Sequence, residues 1–152
     1  MHRIAIGSDH AGLEIKNAVR DALIQDGHQV TDVGTETKDS VDYPDYAARV
    51  ARGVAGGEFD CGVLVCWTGI GMSITANKVA GVRAGLCCTI DQARLTRQHN
   101  DANVLCLGQM NLDAGQAIEI AKTFLTTDFE GGRHERRVDK VRALESATPD
   151  QV

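Results

Sequence analysis

The sequence has no long apolar run and no excess of basic residues. No stretch approaches the roughly 18 apolar residues that a membrane-spanning helix needs, so we predict that the chain does not cross a membrane. The formal net charge is −5, and a protein without a basic excess is not expected to have nucleic acid as its main partner. Because the N-terminal residues run directly into a strand pattern, with no apolar core before a cleavage site, we expect a cytoplasmic protein.

Motifs for metal and dinucleotide binding are also missing. None of the five cysteines belongs to a Cys-x-x-Cys pair followed by a second Cys or His pair, which argues against a zinc site. The first predicted strand is not followed by Gly-x-Gly-x-x-Gly, and no acidic residue stands where it would bind a ribose hydroxyl. We therefore expect no metal and no cofactor, and we interpret the cysteines as reduced thiols of a cytosolic protein.

What the chain does contain is a regular alternation of strand and helix patterns. Short apolar segments alternate with segments whose apolar residues recur every three or four positions. This alternation predicts βαβ units with right-handed crossovers, and hence a parallel sheet covered on both faces. We predict a single α/β domain over residues 1–152, a Rossmann-like three-layer α/β/α sandwich whose tail, 146–152, is frayed. The five strands are predicted at 3–7, 29–33, 61–66, 82–87 and 103–107, with a short helix at 91–98.

Residues 61–78 read as a strand, a glycine turn and a helix. In a parallel sheet the carboxyl ends of the strands face the ligand crevice, so this turn is predicted to lie where substrate binds. Its glycines let the backbone approach a ligand, and free N–H groups at the helix start can bind an anion or a developing oxyanion. Cys66 stands at the entrance to the turn, either as a base beside these donors or as a buried strand residue.

Reactive side chains are predicted near three strands. Asp9 and His10 follow the first strand, Cys66 and Thr68 follow the third, and His99 with Asn100 lies in the stretch leading to the fifth. We predict that the topology brings these positions together in one crevice. The alternatives are that Asp9 only caps the first helix, that His10 is solvated, that Thr68 only bonds its own turn, and that His99-Asn100 simply ends a helix.

The last predicted helix, about 133–145, is basic in a chain that is acidic overall. Arg133 and Arg137 are four residues apart and share a face, which suits bidentate binding of a phosphate or carboxylate. The alternative is a solvated helix with internal salt bridges. Such a helix can also reach a neighbouring copy, which would make the protein an obligate oligomer. From the residues alone, the best hypothesis is an enzyme for a small anionic substrate that uses Cys66 as base or nucleophile.

Six motifs follow one another along the chain: Gly7-Ser-Asp9-His10-Ala-Gly12, Asp42-Tyr43-Pro44, Cys66-Trp-Thr68-Gly69-Ile-Gly71-Met-Ser73, Ala76-Asn77-Lys78, Arg97-Gln-His99-Asn100-Asp101 and Glu130-Gly131-Gly132-Arg133-His134. Together they resemble the ribose-5-phosphate isomerase B family, which also contains the galactose-6-phosphate isomerase subunits. The resemblance covers roughly residues 3 to 145. It implies a metal-free interconversion of ribose 5-phosphate and ribulose 5-phosphate in the pentose phosphate pathway, through an enediolate. It also implies a homodimer whose active sites use both subunits and whose C-terminal helix packs on the partner, and it leaves open whether two dimers pair into a tetramer.

The resemblance implies a role for each matching residue. Cys66 would move the proton between C1 and C2, its thiolate favoured by the helix N-terminus. Thr68 and the N–H groups of Gly69 and Gly71 would stabilise the enediolate oxygens, and His99 would assist ring opening. The remaining substrate-binding residues would be Asp9 and Tyr43 for sugar hydroxyls, His10, Arg133 and Arg137 for the phosphate, and Trp67, Ser73 and Asn100 nearby. A family branch that lacks the cysteine has a glutamate base where this chain has Met72, so the thiol route is the consistent one here.

Two positions depart from the family pattern. Trp67 stands where the family usually has glycine, and Gln109-Met110 stands where it commonly has an arginine that contributes to the phosphate site. These departures leave the preferred sugar open. Alternative functions are therefore isomerisation of another phosphorylated aldose, such as a tetrose, allose or galactose phosphate, or a non-catalytic sugar-phosphate-binding subunit. A nucleotide-binding module is favoured by fold alone and disfavoured by the missing fingerprint.

Overall fold

A computed structural model describes residues 1–146 and contains one parallel five-stranded sheet with helices on both faces. Residues 147–152, most of the predicted frayed tail, lie outside the described part. The strand order is β2-β1-β3-β5-β4. The strands are β1 (Arg3–Ser8), β2 (Gln29–Asp32), β3 (Cys61–Cys66), β4 (Ala84–Leu86) and β5 (Val104–Gly108). The helices are α1 (Leu13–Gln25), α2 (Tyr43–Ala55), α3 (Ile70–Ala76), α4 (Ile90–Asn100), α5 (Ala114–Thr126) and α6 (Arg133–Ala143), with 3₁₀ turns at His10–Gly12 and Gln109–Asn111.

Local sequence signals account for several helix starts. Asp113 accepts a hydrogen bond from the backbone N–H of Gln116, and the Gln116 side chain bonds back to the N–H of Asp113, so α5 begins with a complete capping box. Pro44 lies in the first turn of α2, where its missing N–H costs nothing. The Thr89 hydroxyl accepts from the N–H of Gln92 and starts α4.

The core has two layers, one on each side of the sheet. Because successive strand residues face opposite sides, Val63 and Val65 pack towards α1, α4 and α5, whereas Leu64 and Cys66 pack towards α2 and α3. The predicted three-layer α/β/α sandwich with five parallel strands is therefore confirmed.

Two element boundaries differ from the prediction in ways that matter for the site. The strand β4 is shorter than 82–87, and α4 extends to Asn100 instead of stopping at Gln98. The longer helix is possible because Asp101 adopts a left-handed backbone and its N–H bonds the Arg97 carbonyl, closing the helix after Asn100. His99 and Asn100 consequently lie in the last turn of a helix.

The final helix, α6, packs on α4 of its own chain and buries His134 and Val138. Val141 and Leu144 remain about half exposed. The predicted contact of this helix with a partner subunit stays a prediction. No helix within residues 1–146 has both the length and the apolar character needed to cross a membrane.

Candidate active site

The turn after β3 is built around the sulfur of Cys66. The residue is buried, with 5% of its surface exposed, and the backbone N–H of Gly69 donates to Cys66 Sγ at 3.1 Å. The Thr68 hydroxyl accepts from the N–H of Ile70 at 3.2 Å, so it does bond its own turn just before α3, as one alternative predicted. An N–H donor directed at sulfur stabilises negative charge there. By contrast, burial raises the pKa of Cys61 and of Cys87 to about 12, so those two thiols stay protonated at neutral pH.

Gly69 is required by both its backbone and its neighbours. Its φ is +76°, in the left-handed region, and a Cβ atom there would lie 2.5 Å from Leu86 Cδ1 and 2.9 Å from the Leu107 backbone. Any side chain at this position would therefore displace the turn that directs an N–H group at Cys66.

We expect Gly69→Ala to unfold at lower urea concentration than Gly57→Ala, although both glycines have φ near +75°. Gly57 has open space around it, so its substitution costs only the left-handed backbone, about 1–2 kcal/mol. Gly69→Ala adds an overpacking cost of about 1–3 kcal/mol. Equal midpoints for the two variants in urea melts would contradict the steric argument.

The turn after β1 lies against the end of β3. A Cβ atom at Gly12 would lie 2.5 Å from the Val65 carbonyl oxygen, so the two turns touch directly. Asp9 Oδ1 accepts from the N–H groups of Ala11 and Gly12, each at 3.0 Å. Asp9 therefore caps the 3₁₀ turn His10–Gly12, whereas α1 itself has Gly12 at its N-cap and no side-chain cap. Because both bonds use Oδ1, the Oδ2 atom remains as an acceptor for a ligand.

His10 and Tyr43 complete the same edge. The backbone N–H of Val41 donates to His10 Nδ1 at 3.2 Å, which holds the loop before α2 beside the β1 turn. The Tyr43 ring covers Gly71, where a Cβ atom would lie 2.6 Å from Tyr43 Cε2 and Cζ. Glycine at position 71 therefore allows the phenol ring to approach the turn after Cys66, residues 67–69, which we call the thiol turn.

Trp67 points outward, with 53% of its surface exposed, and so does Met110, with 51% exposed. The N–H of Met110 donates to the Trp67 carbonyl at 2.9 Å, so the two departures from the family pattern are neighbours. Ser73 is half-buried in the second turn of α3. We call the residues at this side of the sheet the carboxyl-edge cluster: Asp9, His10, Tyr43, Cys66, Trp67, Thr68, Gly69, Gly71, Ser73 and Met110.

The other predicted residues form a second group, at the end of α4 and the start of α6. The rings of His99 and His134 stack with centroids 4.1 Å apart and an angle of 6° between their planes. They border a cleft of about 510 Å³ that is also lined by Asn77, Arg83, Asn100 and Arg137. We call His99, Asn100, Arg133, His134 and Arg137 the amino-edge cluster.

The prediction that all three groups meet in one crevice is wrong for His99 and Asn100, although the turns after β1 and β3 do meet. Cys66 ends β3 beside Gly108, whereas His99 precedes β5, whose first residue, Val104, pairs with Gly62. Cys66 is four residues beyond Gly62 in β3, so Cys66 and the start of β5 lie about 13 Å apart along the strand direction. The residue pattern was misleading because a stretch that leads into a parallel strand lies at its amino end, opposite the crevice.

The amino-edge cluster is predominantly cationic. Burial lowers the pKa of His134, and nearby His99 and Arg133 lower it further, whereas Glu130 acts in the opposite direction. Arg133 Nε donates to His134 Nε2 at 3.3 Å. Within residues 1–146, one group has ligand atoms close enough to hold a metal ion, namely His99, Glu130 and His134. Arg133 already uses the lone pair of His134 Nε2, so that atom is not available to a metal ion, and the absence of a metal stays a prediction.

Residue patterns did not single out two features of this edge. His134 was visible only as the end of the motif that begins at Glu130, although it is 5% exposed and stacked on His99. Asp101, which binds Arg83 and Arg97, was visible only as the end of the His99-Asn100-Asp101 motif. Both depend on long-range packing that a local pattern does not report.

Comparison with known proteins identifies the family. A model of the family described as Ribose/Galactose Isomerase matches residues 4–141. The chain belongs to this family. It is 46% identical over 145 residues to ribose-5-phosphate isomerase B of Escherichia coli strain K12, covering 95% of this chain and 97% of that protein.

Solved structures of ribose/galactose isomerases agree with the fold. The chain superimposes on ribose-5-phosphate isomerase B of Clostridium thermocellum with a TM-score of 0.92 and 46% identity, covering 93% of this chain and 96% of the other. It superimposes on ribose-5-phosphate isomerase B of Mycoplasma genitalium, solved with bound ribulose-5-phosphate, with a TM-score of 0.92 and 42% identity, covering 95% and 97%.

Proposed function

We propose that this protein is an aldose–ketose isomerase that interconverts D-ribose 5-phosphate and D-ribulose 5-phosphate. The observation that carries the proposal is the geometry of Cys66, whose sulfur accepts the Gly69 N–H at the carboxyl end of β3. This position adjoins the β1 turn with Asp9. In the strand order β2-β1-β3-β5-β4, the connection after β1 runs to one side and the connection after β3 runs to the other, and ligands bind in the crevice between two such strands. Membership of the ribose/galactose isomerase family and the names of its relatives support the same reaction.

In this mechanism the Cys66 thiolate removes the proton from C2 of the open-chain aldose and returns it at C1. Loss of the C2 proton gives an enediolate intermediate. The hydroxyl proton on O2 then moves to O1 as the ketose forms, so no redox partner is needed. The Thr68 hydroxyl and the Gly71 N–H, at the start of α3, stabilise the enediolate oxygens. The N–H of Gly69 stabilises the thiolate between proton transfers.

The remaining carboxyl-edge residues orient the substrate. His10 accepts a hydrogen bond at Nδ1, so its neutral ring carries the proton on Nε2 and donates it to the phosphate. Asp9 Oδ2 and the Tyr43 hydroxyl hold sugar hydroxyls, and Ser73 and Trp67 border them. Substrate binding in this form uses no metal and no cofactor.

A complete site requires a second copy of the chain. The amino-edge cluster supplies His99 for ring opening, Asn100 beside it, and the Arg133 and Arg137 guanidinium groups for the phosphate. Since this cluster lies at the opposite edge of its own sheet, a homodimer in which each carboxyl edge faces the partner's amino edge would assemble two sites. In such a dimer α6 would contact the partner.

The second candidate is isomerisation of another phosphorylated aldose. Trp67 and Met110 are neighbouring, half-exposed apolar side chains at the carboxyl edge, at two positions where the chain departs from the family pattern. A non-catalytic sugar-phosphate-binding subunit is less favoured, because binding alone has no use for a thiol with a directed N–H donor.

Proton NMR of ribose 5-phosphate in D₂O with the wild-type protein tests the proposed function. We expect conversion to the ketose, with solvent deuterium entering the sugar. If ribose 5-phosphate is unchanged, the same assay with tetrose, allose and galactose phosphates separates another substrate from a binding subunit, which would convert none of them.

Substituting Met110 by arginine is expected to lower KM for ribose 5-phosphate and leave kcat nearly unchanged. A guanidinium beside the phosphate adds a hydrogen bond to a charged group, and a gain of about 1.5 kcal/mol corresponds to roughly tenfold in KM. Steady-state kinetics measure the change, and Asn111→Arg, which adds the same charge at the next exposed residue, is the control. An unchanged KM would show that Met110 does not border the phosphate.

A further inference from the structure

Asp101 has an unusual backbone for its residue type. It is the only non-glycine residue within 1–146 with a positive φ, 45°, and it directly follows His99 and Asn100. Non-glycine residues in this conformation persist where surrounding contacts hold them, and they are common at functional sites. Because Asp101 is the C-cap of α4, its contacts bear directly on the last turn of that helix.

The Asp101 carboxylate binds three arginines from different parts of the chain. Arg83 Nη2 lies 2.9 Å from Oδ2, Arg97 Nη1 lies 3.0 Å from Oδ1, and Arg142 Nη2 lies 3.6 Å from Oδ2. The side chains of Asp101, Arg83 and Arg97 are 27% exposed or less, so these pairs are partly shielded from water.

The same arginines also bind the end of α4 through its backbone. Arg83 Nε donates to the Asn100 carbonyl at 3.0 Å and to the Asp101 carbonyl at 2.9 Å. Arg97 donates to the Ala102 carbonyl. Carbonyl groups at a helix C-terminus have no partners within the helix, so side-chain donors fix them in place. The turn that carries His99 is therefore held by guanidinium groups that Asp101 itself orients.

Arg142 extends this network to α6, the helix that carries His134 and Arg137. We propose that Asp101 is a positioning residue that keeps the end of α4 and α6 in register, so that His99 meets the substrate in a productive orientation. This role rests on the proposed isomerase function, in which His99 assists ring opening. Asp101 itself does not touch the substrate.

The chemistry of the two sugars allows ring opening to be measured separately. Ribose 5-phosphate closes into a ring through O4, whereas ribulose 5-phosphate has its O5 esterified and stays open. Exchange of the C1 proton of ribulose 5-phosphate with D₂O therefore reports the Cys66 step alone. Turnover of ribose 5-phosphate reports that step together with ring opening.

The test compares wild type with Asp101→Gly, Asp101→Asn and His99→Ala. Glycine keeps the left-handed backbone and removes the carboxylate, and asparagine also adopts this backbone and keeps an acceptor oxygen. We expect Asp101→Gly and His99→Ala to slow ribose 5-phosphate turnover on the order of tenfold to a hundredfold. At saturating ribulose 5-phosphate, where weaker phosphate binding through α6 does not limit the rate, the C1 exchange should stay within about twofold. Asp101→Asn should recover much of the loss.

The matched control is Asp91→Asn, which removes an exposed aspartate paired with Arg94 at the other end of α4. It should leave both assays unchanged. If the wild type converts ribose 5-phosphate and Asp101→Gly converts it at the same rate, the positioning role is overturned. A parallel loss of turnover, exchange and thermal stability would do the same, since it would indicate a general structural role.

A second measurement keeps the two proposals separate. If the wild type does not convert ribose 5-phosphate, the proposed function fails, and the positioning role is then judged by proton NMR of the His99 ring. A changed His99 Hε1 shift in Asp101→Gly, but not in Asp91→Asn, would support the role, and an unchanged shift would overturn it.

Discussion

Cys66→Ala is expected to abolish both reactions of the protein, ribose 5-phosphate turnover and C1 exchange of ribulose 5-phosphate. The sulfur is the group placed to carry the proton between C1 and C2, and its N–H donor at Gly69 would have no partner in the variant. Loss of a general base typically costs 10²- to 10⁴-fold, so kcat should fall by about a thousandfold. Proton NMR in D₂O measures both reactions in one sample.

The matched control for this substitution is Cys88→Ala, which removes an exposed thiol after β4. It should retain full activity, and thermal melts should show that both variants are folded. Substantial deuterium incorporation by Cys66→Ala would mean that another group is the base and that the position of Cys66 at the strand end is structural.

Mixing two impaired variants, Cys66→Ala and His99→Ala, is expected to raise the activity above that of either variant alone. In a homodimer with shared sites, a mixed dimer has one site with both intact residues and one site that lacks both. After random exchange of subunits, half of the dimers are mixed, and each has one working site of two, so about a quarter of wild-type activity should return. The measurement is turnover of ribose 5-phosphate before and after the subunits are refolded together.

The control pairs two variants of the carboxyl-edge cluster, Cys66→Ala and Thr68→Ala. In a mixed dimer of these, each site retains one altered residue, so no recovery is expected. Heterodimers purified through two different affinity tags remove any ambiguity about exchange. An inactive Cys66→Ala/His99→Ala heterodimer would show that the two clusters do not complete each other's site.

Local signals carried much of the site prediction. The apolar run that ends at Cys66 and the glycines after it predicted the strand, turn and helix, because strand propensity and left-handed turns act over a few residues. The capping box of α5 depends on a signal of the same local kind, since Asp113 and Gln116 are three residues apart. Asp9 was placed beside the thiol turn, but its capping bonds were one of two possibilities until the backbone positions were known.

The location of His99 shows the limit of local signals. The order of a helix followed by a strand places it at the amino edge of the sheet, but no local signal shows which distant residues face it there. The structure extends α4 to Asn100 and fixes the end with Asp101 and Arg83, residues that are distant in the chain or have an uncommon backbone. Trp67 is a similar case, since neither outward nor inward orientation followed from its neighbours in sequence.

By itself, then, the sequence determined the fold class, the family and the identity of the groups with reactive chemistry, because periodicity, turn residues and ordered motifs are properties of short segments. Only the tertiary structure decided that β5 lies between β3 and β4, that His134 stacks on His99, and that the reactive groups divide between two edges. The physical reason is that strand order and burial depend on contacts between distant segments, whose free energies no short stretch of sequence contains.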